Sequence, residues 1–132
     1  MKKIISILLL SSMTLFAGLK TVEMDKLIAL KAKGTPIIDI RTAGEWKETG
    51  IIKGAHKMTF FSERGEPLLA EWFFELGRLV KDKKAPILIY CAHANRSKTL
   101  GNGLVSMGFE NVYELKGGID NGWIKKGKKT VK

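Results

Sequence analysis

The sequence predicts an α/β domain with a mainly parallel central sheet flanked by helices on both faces. Short apolar runs at Ile37 to Ile40, Pro86 to Tyr90 and Val112 to Leu115 have the length and branched composition of buried strands. Segments of helical periodicity separate them, so each strand returns to the sheet through a helix, the connection that parallel neighbours require. One cysteine in 132 residues means that no intramolecular disulfide braces the fold, which must rest on its core.

The elements follow in order. Met24, Leu27 and Ile28 sit at helical spacing within Glu23 to Lys33, acids occupy the first turn, and Gly34 stands where a helix stops, with Pro36 barring continuation. The strand at Ile37 to Ile40 hands over to Thr42-Ala43-Gly44-Glu45, the spacing of a capping box that opens a short helix. Gly50 to Ala55 reads as a turn leading to a short strand toward Met58-Thr59-Phe60. Glu71 to Val80 is amphipathic through Trp72, Phe73, Leu76, Leu79 and Val80. A strand at Pro86 to Tyr90 precedes a loop, then a helix over Ser97 to Met107 closed by Gly108. Val112 to Leu115 is the last strand, and Gly117-Gly118 turns into a final helix containing Trp123.

Both ends of the chain are distinct. Met1-Lys2-Lys3 followed by an apolar stretch from Ile4 to Phe16 has the pattern of an export signal, and it is shorter than the roughly 20 residues of a membrane span. Residues 1–18 are therefore expected to be a signal peptide directing the protein to the periplasm or outside the cell, without stable membrane insertion. Residues 19–126 form one domain, and residues 127–132 a basic tail. Lys125-Lys126-Gly127-Lys128-Lys129 is expected to be a solvated, fraying end. The net charge of +10 is scattered and carries no aromatic-interleaved basic motif, so it is expected to attract small anionic substrates or a membrane surface, and nucleic acid is not among the partners expected.

Chemistry concentrates at Cys91-Ala92-His93-Ala94-Asn95-Arg96-Ser97. A strand ending in cysteine, a tight loop and a helix aim backbone N–H groups at the sulfur, and a guanidinium nearby favours the thiolate of a group whose free pKa is about 8.5. The competing reading is a small buried hydrophobe. Arg96 is expected both to clamp an anion and to pair with an acid such as Asp39, because a buried arginine needs a partner. Asp39, Arg41 and Glu45 are expected to support the site without touching substrate, and Ser97 is a natural helix cap. His93 is either a substrate contact or solvated filler. His56 has no partner spacing for a metal, and neither metal nor cofactor is expected. Trp46, Phe60, Phe61, Trp72 and Trp123 belong to the core or to a pocket wall.

Three segments in order give the chain a resemblance to the rhodanese family of single-domain sulfurtransferases, over roughly Leu19 to Trp123. Ile38 to Ala55 (IDIRTAGEWKETGIIKGA) is similar to that family's upstream signature, Cys91 to Arg96 to its active loop, and Leu115 to Trp123 (LKGGIDNGW) to its closing Gly-Gly and Trp. The resemblance implies a rhodanese-like fold and a Cys91 that takes sulfur from a donor such as thiosulfate. Held as a persulfide, that sulfur passes to cyanide, a thiol or a protein acceptor. Four residues separate cysteine from arginine, as in sulfurtransferases, whereas related phosphatases have five, so phosphatase or arsenate chemistry ranks below. A carrier or docking module without turnover is the alternative from another class. Two departures stand out. Ala94 occupies a position where the family commonly has glycine, at a cost of roughly 1 kcal/mol if φ is positive there. Ile51 replaces a histidine frequent in the Gly-x-Ile turn.

Overall fold

The computed structural model describes residues 18–132, and the expected export signal lies almost wholly outside them. The order is β1 (Lys20–Val22), α1 (Met24–Ala32), β2 (Ile37–Asp39), α2 (Ala43–Thr49), β3 (His56–Lys57), α3 (Leu69–Leu79), β4 (Ile87–Tyr90), α4 (Asn95–Ser106), β5 (Val112–Leu115), α5 (Gly118–Gly122) and a 3-10 turn at Ile124–Lys126. The strands form one sheet in the order β1-β5-β4-β2-β3, and each neighbouring pair is parallel. The α/β architecture is as the sequence predicts.

The period of two along the strands divides the core between the two sheet faces. Ile38, Ile87, Ile89 and Val112 pack under Trp72 and Leu76 of α3 and Leu100 and Leu104 of α4. Ile37, Leu88, Tyr90 and Leu115 meet Leu27 and Leu30 of α1, Ile119 of α5 and Trp123 on the other side. Each fully buried aliphatic side chain stabilises the fold by about 1.5–3 kcal/mol. Trp72 stands edge-on to Phe60 and Phe73, and its indole N–H donates to Met58 O at 3.0 Å.

Several boundaries differ from expectation. The edge strand β1 was not legible, because three residues of which only Val22 packs against the core leave no run to detect. Helix α3 begins at Leu69, two residues ahead of Glu71, and Trp123 lies just past α5 instead of within it. The tail also departs from the fraying end predicted. Its lysines are exposed, but Ile51 and Val131 exchange both backbone hydrogen bonds (2.7 and 2.9 Å). Thr130 Oγ1 donates to Thr49 O at 2.6 Å, and the indole of Trp123 to Lys129 O at 2.9 Å. Four donors placed at fixed points outweigh the repulsion of lysines that water keeps apart. Among the described residues no helix is long and apolar enough to cross a membrane.

Candidate active site

The site forms where β2 and β4, adjacent in the sheet, end on the same edge, the usual place for a ligand in an open parallel sheet. Cys91 follows β4 directly and is 1% exposed. The start of α5 fixes its main chain: Ile119 N donates to Cys91 O at 2.9 Å and Asp120 N to Ala92 O at 3.1 Å. This approach needs Gly118. With φ +65, a Cβ there would overlap the Ala92 carbonyl and sit 2.7 Å from Cys91 O. The closing Gly-Gly of the sequence is thus the surface against which the cysteine loop is moulded.

The loop turns back through Ala94, whose φ of 73° is the only positive value outside glycine among the described residues. Left-handed alanine costs roughly 1 kcal/mol, and the site holds that strain. Ala94, not Ser97, is the N-cap of α4, and its carbonyl accepts from Lys98 N at 3.0 Å. Ser97 falls in the first turn, fully buried, with its amide 3.4 Å and its hydroxyl 3.6 Å from Cys91 Sγ. A short polar side chain suits a cap, but the loop tightens three residues earlier, at Ala94, and turns that hydroxyl inward. The expected ring of amides is therefore reduced at the sulfur itself to one donor, Ser97 N, among the described residues.

Arg96 does not pair with Asp39. It meets Glu45 of α2 in a two-point ion pair, Nη1 to Oε1 and Nη2 to Oε2, each 2.7 Å. This hydrogen bonding is the largest cause holding the Glu45 carboxyl down at about 2, and it likewise raises the Arg96 pKa. Glu45 Oε1 also accepts from Thr42 N at 3.3 Å and Thr42 Oγ1 at 3.2 Å, so the capping residue is also the arginine's anchor. Asp39 is taken by Arg41: Nη2 to Oδ2 is 2.8 Å, and both side chains are buried. Arg41 then spans to Thr49 Oγ1 and Gly50 O, each at 2.7 Å, tying the end of β2 to the end of α2. Burial opposes the Arg41 charge, but Asp39 outweighs it and the pKa is raised. The neighbouring Tyr90 hydroxyl is pushed up, first by burial and then by Asp39, and accepts from Ile52 N at 3.1 Å.

A cleft of about 360 Å³ beside the loop is lined by Phe61, Ser62, Glu63, Gly65, Asn95, Arg96 and Thr99. Of the five aromatics marked in the sequence, Phe61 is the one on this wall. Trp72 and Phe60 are core, Trp123 packs on the opposite sheet face, and Trp46 lies on α2 with Lys57 Nζ 5.7 Å from its ring centroid. His93 is 60% exposed, and its Nε2 contacts Asp120 Oδ2 at 2.8 Å.

One residue of the site escaped the sequence reading. Glu114 of β5 is fully buried, with Oε1 3.3 Å from Ser97 Oγ and Oε2 3.2 Å from both Lys98 Nζ and Thr21 Oγ1. The signal was present: alternation puts Glu114 on the same face as Val112, so a charge was pointing into a core.

Comparison with known proteins bears on the family and the fold. The chain is 31% identical over 101 residues to the thiosulfate sulfurtransferase GlpE of Pseudomonas entomophila, covering 76% of this chain and 82% of the relative. It is 37% identical over 91 residues to the tRNA uridine(34) hydroxylase of Bacillus cereus, spanning 69% of this chain but only 27% of that protein. Among solved structures, the polysulfide-sulfur transferase homodimer of Wolinella succinogenes superposes with a TM-score of 0.64 over 88% of this chain and 80% of its own, at 19% identity, a likeness of fold. The family model for the rhodanese-like domain matches residues 23–126, the stretch that runs from the cap of α1 through the cysteine loop to the turn after Trp123, and on that match the chain belongs to the rhodanese family.

Proposed function

We propose that this sulfurtransferase-family protein moves sulfane sulfur through a Cys91 persulfide, from a donor such as thiosulfate to cyanide or a thiol. The observation that carries the reading is the placing of Cys91 Sγ at the carboxyl end of β4, under the Ser97 amide and with four residues between it and Arg96. The thiolate attacks the outer sulfur of thiosulfate. A Cys91 S–S bond forms, the S–S bond of thiosulfate breaks, and sulfite leaves with the electron pair. An acceptor thiolate or cyanide then takes the outer sulfur and the Cys91 thiolate is restored. The covalent intermediate divides one transfer into two easier steps. Arg96 and the Ser97 amide supply the positive end for anionic donor and persulfide. Glu45 holds Arg96, and Asp39 and Arg41 brace the corner between β2 and α2 from which Glu45 reaches it.

The burial of Cys91 favours one second reading, a carrier or docking module that takes or gives sulfur only when a protein partner opens the loop. Mass spectrometry after thiosulfate treatment separates the two. A gain of about 32 Da that is lost in Cys91→Ala is the result expected of a nucleophilic thiolate. An adduct seen only with a protein donor selects the carrier, and no adduct with any donor rejects both. Hydrolysis of an aryl phosphate would point instead to phosphatase chemistry. We place the mature protein in the periplasm or outside the cell on the strength of its first residues.

A further inference from the structure

Ser97 has a single hydroxyl proton and three oxygen or sulfur neighbours that compete for it: Ala94 O at 3.2 Å, Glu114 Oε1 at 3.3 Å and Cys91 Sγ at 3.6 Å. We infer that Glu114 is a positioning residue for Cys91, acting through Ser97: by holding the hydroxyl proton it withholds a donor from the sulfur, and by releasing that proton it lets the hydroxyl turn and donate to the thiolate. The inference takes Cys91 as the reacting atom and so rests on the sulfur-transfer reading, although its test does not.

The two states balance as follows. In the thiol state the Cys91 S–H donates to Ser97 Oγ, and the Ser97 O–H donates to Glu114 Oε1. When the thiol proton leaves to a base in solution, Ser97 rotates about its C–O bond and its own proton moves to the sulfur side without breaking a covalent bond. Glu114 then keeps Lys98 Nζ and Thr21 Oγ1, both on Oε2, so its carboxylate is not stranded when the serine turns away. Lys98 is 55% exposed, which places the far end of the network at the surface, whereas Cys91 at the sulfur end is only 1% exposed. A buried thiol has no water to solvate its anion, so one hydroxyl that changes sides matters more here than it would at the surface.

The groups facing the sulfur act in both directions. Glu114 opposes the thiolate by its charge and by competition for the hydroxyl. Lys98 offsets Glu114, and Arg96 favours the thiolate while Glu45 and Asp39 offset Arg96. His93 and Asp120 pair with each other at the rim. The expected sign is therefore that Glu114 disfavours ionisation of Cys91, and Ser97 favours it.

The experiment is the pH dependence of Cys91 alkylation by iodoacetamide in the full chain, measured for wild type, Glu114→Gln, Ser97→Ala and the double variant. Glu114→Gln is expected to lower the midpoint and speed alkylation at neutral pH by about three- to ten-fold, and Ser97→Ala to raise the midpoint. In the double variant the effect of Glu114→Gln should shrink by at least half, because the hydroxyl that transmits it is gone. A midpoint unmoved or raised by Glu114→Gln overturns the proposal, and so does an effect undiminished without Ser97, which would leave only charge acting through space. If Glu114→Gln does not fold, Lys98→Met tests the same coupling from the exposed end. It is expected to raise the midpoint when Ser97 is present and to do so less in Ser97→Ala, and equal effects in both backgrounds overturn the coupling. Failure of sulfur uptake from every donor, with these shifts intact, would sink the transfer reading and leave this one standing.

Discussion

Arg96 and Glu45, fifty-one residues apart in sequence, face each other through two parallel hydrogen bonds of 2.7 Å. The pair aims the only arginine of the cysteine loop from α2, the helix that Thr42 and Glu45 themselves begin. A guanidinium held at two points cannot swing, so its remaining face is presented to the cleft in one orientation.

Glu45→Gln should therefore cost more in catalysis than in stability. The largely buried pair is worth about 1 kcal/mol to the fold, but under the proposed transfer a freed Arg96 should lower kcat/KM for thiosulfate by about ten-fold or more. Steady-state sulfur transfer and thermal unfolding on the same preparations check the two parts.

The same pair sets an acid limit. The folded Glu45 carboxyl lies at about 2 against an ordinary 4.5, so its contribution is complete above that ordinary value and is lost as pH falls from it through the folded one. The Tm difference between wild type and Glu45→Gln should shrink steadily across this window and vanish below it. A difference independent of pH would assign the effect to packing.

Ala94→Gly should raise Tm by a few degrees, because glycine reaches φ 73° without the roughly 1 kcal/mol that alanine pays there, less the chain entropy glycine adds to the unfolded state. A fall in sulfur-transfer rate with the rise in Tm would show that loop rigidity has a use.

Gly118→Ala forces a methyl into the Ala92 carbonyl and a left-handed conformation on alanine. Destabilisation of about 3 kcal/mol is expected, with Cys91 displaced from Ser97. Denaturant unfolding and the alkylation rate of Cys91 report the two consequences.

The tail strap offers a test of distance. Thr130→Val removes the donor to Thr49 O, whose own hydroxyl receives Arg41 Nη1. A loss of about 1 kcal/mol is expected. Earlier amide exchange should be confined to α2 and the Gly50 turn, with the strands of the sheet unchanged.

The sequence by itself determined the α/β layers, the placing of Cys91 at the carboxyl end of β4, and the family. Each of these follows from local signals: apolar runs of strand length, helical periods between them, and a cysteine, an arginine and two glycines at fixed offsets. The capping box of α2 was legible for the same reason, because its two partners lie three residues apart.

Which acid meets which arginine was decided only by the tertiary structure. Asp39 and Glu45 are both near Arg41 in sequence and equally available on paper to Arg96. The register of β2 beside β4 hands Asp39 to Arg41 and turns α2 so that Glu45 reaches the loop. Alternation with Val112 signalled the burial of Glu114, but its partners Thr21, Ser97 and Lys98 were decided only when β1 and α4 closed over it. Ion pairs and buried hydrogen bonds depend on angstrom distances between segments far apart in the chain, and hydrophobic pattern constrains those distances only to within a helix turn.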